Sequence, residues 1–96
     1  MRKVLFSPEA IEDLENIWVY IAQNSPTQAD CFLDKLENLC KEDLSLFPQI
    51  GSGRDYLSPG VLALPFRNYM IYYRCIEERV EIVRVLHGSR DMGGIF

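Results

Sequence analysis

Residues 61–87 read VLALPFRNYMIYYRCIEERVEIVRVLH, and this stretch decides the fold. β-Branched and aromatic residues fill three runs, Val61 to Phe66, Tyr69 to Ile76 and Val80 to His87, which is the composition of strands. Only Arg67-Asn68 and Glu77-Glu78-Arg79 join them, and links so short require an antiparallel meander. Alternation then puts Tyr69, Ile71, Tyr73 and Cys75 on one face of the middle strand and Met70, Tyr72 and Arg74 on the other.

Moving toward the N-terminus, residues 48–60 are dense in Pro, Gly, Ser and Asp and read as a loop. Before it lie two amphipathic periods. Ala10, Ile11, Leu14, Ile17, Trp18 and Ile21 recur at three and four after Ser7-Pro8, a capping residue followed by a proline suited to a first helical turn. Ser25-Pro26 repeats that start, and Ala29, Phe32, Leu33, Leu36, Leu39, Cys40, Leu44 and Phe47 carry the second stripe up to Pro48. The connection near Gln23-Asn24 is short, so the helices double back as a hairpin. With the β-prone run 2–6 in front, the expected class is α+β in the order β-α-α-β-β-β, the hairpin covering one face of an antiparallel sheet. Ninety-six residues accommodate one domain, expected over 1–96.

The net charge of −4 hides an asymmetry: residues 1–48 hold four basic side chains against nine acids, residues 49–96 six arginines against five acids. A pI near 4.9 argues against wholesale phosphate binding, so no direct nucleic-acid contact is expected, while leaving room for an arginine patch facing an acidic partner. No apolar run approaches the roughly 20 residues of a membrane span, and three dispersed cysteines with a single histidine offer neither a disulfide framework nor a zinc set. The expectation is a soluble cytoplasmic protein without metal or cofactor.

Several residues invite a chemical reading. His87, Ser89 and Asp91 mimic a hydrolase trio, but alternate positions at a strand end do not converge as such a relay requires. Gly51-Ser52-Gly53 follows a helix and lacks a trailing Gly-Lys-Ser, so it reads as a turn rather than a phosphate cradle. Trp18 falls on the inner stripe and is assigned to the core, and Cys75 is read as an inert buried thiol. Met70 and Tyr72, taken as exposed beside Arg74, form the better candidate for a protein-binding face, because Met, Tyr and Arg are enriched at interfaces.

The order of elements and its local wording resemble the RelE/ParE toxin superfamily of type II toxin-antitoxin systems, the ParE branch most closely. The matching pieces are Leu5-Phe6-Ser7-Pro8-Glu9-Ala10 with Ile17-Trp18, then Ser25-Pro26 with Phe32-Leu33, then Phe47-Pro48 with Gly51. Leu64-Pro65-Phe66 with Tyr69 to Arg74, and Val80 to Asp91, complete the match. The resemblance implies a toxin that binds DNA gyrase without making or breaking bonds, stabilises a plasmid or chromosome, and is neutralised in a hetero-oligomer by a ParD-like antitoxin. An acidic antitoxin segment is expected on the hairpin and the sheet, with Arg67, Met70, Tyr72, Arg74, Arg84 and Arg90 as the partner-binding residues. The RNA-cutting branch implies an arginine after the tyrosine opening the middle strand and a proton carrier at the chain's end; here Met70 and Phe96 stand in those places. The alternative is a ribosome-dependent mRNA endonuclease using Arg84, His87 and Arg90, and a third reading is a non-toxic member that only binds its antitoxin.

Overall fold

The structure is a computed structural model that describes residues 2–89. Strand β1 (Lys3–Phe6) leads into helix α1 (Pro8–Ala22), where the Ser7 hydroxyl accepts from the Ala10 amide at 3.0 Å and Pro8 occupies the first turn. Ser25 caps α2 (Pro26–Asn38) the same way, accepting from Gln28 N at 3.2 Å. The second helix runs on into a π-helical stretch, Leu39–Leu44. Leu36, Cys40 and Leu44 lie four apart, a spacing that drifts about 40° per step on an ordinary helix. The widened turn reverses that drift and all three end fully buried.

The meander is as the sequence predicts: β3 (Leu62–Phe66), β4 (Tyr69–Ile76) and β5 (Arg79–His87) pair antiparallel. Arg67 and Glu77, at φ 55 each, open its two turns. Two additions complete the sheet. Ser52–Gly53 forms a two-residue strand, β2, against Ala63 and Leu62, and β1 joins the far edge parallel to β5, so the order is β1-β5-β4-β3-β2 and the sheet is mixed. The parallel pairing follows from the hairpin, which returns the chain across the sheet and leaves β1 beside the last strand in the same sense.

The hairpin covers one face. Ala10, Leu14 and Ile17 of α1 and Phe32 and Leu36 of α2 pack on Ile71, Tyr73, Val80, Ile82 and Val85, as alternation along β4 predicts. On the opposite face Val61, Ala63, Tyr72 and Leu86 form a smaller cluster with Leu57 and Met70. Tyr72 is therefore not the exposed residue of the sequence reading; only 5% of it meets solvent. The segment 54–61 folds back over it, held by Arg54 N to Val61 O at 2.7 Å and by Gly60 N to the Asp55 carboxylate at 3.0 Å.

Other expectations need adjustment too. Gly51 is a close-approach position rather than a simple turn glycine. Its amide donates to the Tyr73 hydroxyl at 2.8 Å, and a Cβ there would sit 2.7 Å from that oxygen and 2.9 Å from the Ala63 carbonyl. Trp18 is half-buried at the hairpin's outer edge, its Nε1 donating to Asp30 Oδ1 at 2.8 Å, instead of lying in the core. Cys75 is half-buried with its thiol 3.6 Å from the Pro48 carbonyl; burial pushes its pKa up, and Arg2 pulls the other way. The fully buried thiol is Cys40, whose pKa desolvation, reinforced by Glu37, pushes up to about 12.

Candidate functional site

Beyond Ile82, β5 parts from β1 and its edge is closed by side chains of α1. Ser7 N donates to Ile82 O at 2.9 Å and the Ser7 hydroxyl to Val83 O at 2.8 Å. One turn and a half further along α1, Asp13 accepts from the Val85 amide at 3.0 Å. The same carboxylate takes a bidentate pair from Arg84, Nε at 2.7 Å and Nη2 at 2.8 Å. The bond to Asp13 also raises the Arg84 pKa, against the opposing pull of burial. Arg84, which was expected to face a partner or, in the alternative, a phosphate, has this internal ion pair while 22% of its side chain stays exposed.

The other expected arginines are separated. Arg74 lies on the open face with Met70 and Tyr72, and its buried Nε has no hydrogen-bond partner among the described residues. Because Val4, Val80 and Ile82 pack under the hairpin, Lys3, Arg79 and Glu81 turn to the open face beside Arg74. With Lys3, Arg74 and Arg79 against Glu81, that part of the face carries a net positive charge on an acidic protein. Arg67 is elsewhere, at the β3–β4 turn, its guanidinium 5.5 Å from the Phe32 ring centroid and 5.6 Å from that of Phe66. His87 is exposed at the end of β5. Its Nδ1 lies 2.7 Å from Ser89 Oγ and 3.2 Å from the Ser89 amide, and its ring meets Tyr69 edge-on at 5.4 Å. Arg90, Asp91 and Phe96 lie outside the described residues. No hydrogen bond joins Arg84 to His87 among the described residues.

One hollow was not anticipated. A groove of about 420 Å³ runs along the outside of the hairpin, floored by Phe6, Leu14 and Leu33, flanked by Ile11 and Trp18, and rimmed by Glu15, Glu37 and Lys41. The signal was in the apolar arc of α1, which runs on past Leu14 to Trp18 and to Ile11, 47% exposed, too far around the helix for the sheet to cover. Elsewhere among the described residues no three His, Cys, Asp or Glu stand together, and no helix is long and apolar enough to cross a membrane.

Against known proteins, the family model for the ParE toxin of type II toxin-antitoxin systems (parDE) matches residues 4–92. Toxin ParE3 of Caulobacter vibrioides is 27% identical over 93 residues, 96% of this chain and 92% of its own. Among solved structures, the chromosomal ParDE system of P. aeruginosa superposes with a TM-score of 0.72 at 23% identity, covering 91% of this chain and 96% of the other. The RelBE2 toxin-antitoxin complex of Mycobacterium tuberculosis gives 0.61 at 24%, covering 90% of each. At those identities the two structures establish the fold.

Proposed function

This chain belongs to the ParE toxin family of type II toxin-antitoxin systems, and we propose that it acts as a single-domain binding inhibitor of DNA gyrase, held inactive by a ParD-like antitoxin. The observation that carries binding over cleavage is the Arg84–Asp13 pair. Arg84, one of the three residues the nuclease alternative needs, gives its Nε–Nη2 edge to a carboxylate, and Met70, outside that trio, stands where a cation would offset phosphate charge.

Both structural neighbours are toxin-antitoxin systems, which supports an antitoxin partner for this chain as well. The charge pattern supports one placement of its parts. The groove is apolar with two acids and one lysine on its rim, so it suits an amphipathic helix with basic flanks. An acidic stretch suits the open face, where Arg74 has a buried donor to satisfy and Lys3 and Arg79 stand nearby.

A paired assay tests the reading: the purified chain is added to gyrase supercoiling reactions and to programmed ribosomes. Loss of supercoiling without transcript cleavage is expected, and its reversal by the cognate antitoxin. Site-specific cuts in mRNA would establish the nuclease instead, and inactivity in both assays a member that only binds its antitoxin. Trp18→Ala and Arg74→Glu are each expected to weaken the antitoxin complex by roughly tenfold or more, measured by calorimetry.

A further inference from the structure

At the end of the molecule opposite β1's start, five elements converge on a second hollow of about 320 Å³. The last turn of α1 brings Tyr20, the first turn of α2 Gln28 and then Phe32, the β3–β4 turn Arg67, and the paired positions of β4 and β5 bring Tyr69 and His87. A smaller hollow continues from it past Tyr20, Tyr69 and His87. The size is at the lower end of the roughly 300–1,000 Å³ of small-ligand sites.

The lining is specific in its chemistry. No Asp or Glu lines the larger hollow among the described residues, although the chain carries 14 acids. Arg67 is backed by the Phe32 and Phe66 rings, and makes no hydrogen bond or ion pair among the described residues, so its donors face outward unused. Holding it there has a conformational cost, since Arg67 sits at φ 55, a region non-glycine residues seldom occupy. His87 keeps Nδ1 for Ser89 and has Nε2 to offer. Tyr20 stands on the rim, 67% exposed, with room for a planar ring against it, and Gln28 supplies an amide that can both give and accept. A bare anion would leave most of such a volume empty, and a purely apolar ring would leave the guanidinium unanswered.

We propose that this hollow binds a nucleoside phosphate, the base laid on Tyr20 beside Gln28 and the phosphate held by Arg67 and His87. The site does not rest on the gyrase reading; it shares His87 with the nuclease alternative, which transcript cleavage on ribosomes scores separately. The same chemistry is found in a free nucleotide and in an unstacked nucleotide of a strand.

Calorimetric titration of the full chain with AMP, adenosine, inorganic phosphate and a short single-stranded oligonucleotide separates the cases. Saturable AMP binding is expected, with adenosine and phosphate each roughly tenfold weaker or worse. Arg67→Asn, which removes the guanidinium but tolerates the left-handed backbone, and Tyr20→Ala, on the exposed rim, are each expected to weaken AMP roughly fivefold or more with the urea midpoint unchanged. Binding of the oligonucleotide alone, lost in the same two variants, would also uphold the site and identify its ligand as part of a strand. Absence of saturable binding by either at millimolar concentration, or binding indifferent to both substitutions, would overturn it.

Discussion

The two faces of the sheet are built from the same alternating strands and end up different in kind. Under the hairpin, side chains from both helices and four strands interlock into one continuous core around Leu36, Ile71 and Tyr73. On the other face, among the described residues, Tyr72 and Leu86 are covered by a loop, through Leu57, and next to them Lys3, Arg74 and Arg79 surround Glu81. Alternation decides which residues share a face; what covers that face decides whether they become core or surface.

That contrast is open to measurement. Leu36→Ala, in the dense core, is expected to cost about 3 kcal/mol in urea unfolding, and Leu57→Ala, under the loop, less than about 1 kcal/mol. Equal costs would abolish the distinction. Asp13→Ala strands both the Arg84 guanidinium and the Val85 amide, an expected loss of about 2 to 3 kcal/mol, with the double variant Asp13→Ala/Arg84→Ala costing less than the sum of the two single changes.

Gly51→Ala drives a methyl into the Tyr73 hydroxyl and the Ala63 carbonyl and is expected to cost about 1 to 2 kcal/mol, partly relieved by Tyr73→Phe. The smallest effect at neutral pH belongs to Cys40. Its thiol is raised from 9.0 to about 12 in the folded chain, so the stability it contributes is intact below pH 9 and is lost as pH climbs toward 12. Urea midpoints of the Cys40→Ala variant are accordingly expected to fall less steeply than those of the unaltered chain across that window.

Where a period spans several turns or a whole strand, the residues alone located the element. Both helix starts, the hairpin and the meander were readable, because Ser-Pro caps and alternating runs act locally. The partner of β1 was not, since four residues at a sheet edge say nothing of what they pair with. Nor was the cover over Tyr72, which depends on how a turn-rich loop folds back. The Arg84–Asp13 pair was not read from the sequence, although Asp13 carried a clue: it lies on the inner arc of α1 between Ala10 and Ile17, and an acid placed there requires a donor across from it. The groove and the Arg67 hollow combine residues from distant segments, and no short motif announces either.

The parallel seam between β1 and β5 ties Lys3 to Arg79 and Phe6 to Ile82. During synthesis the helical hairpin and then the β3–β4 turn can form as they emerge, but the opening strand has nothing to bond until residues 79–82 have cleared the ribosome. A nascent chain halted before that point carries an orphan strand and an unclosed sheet.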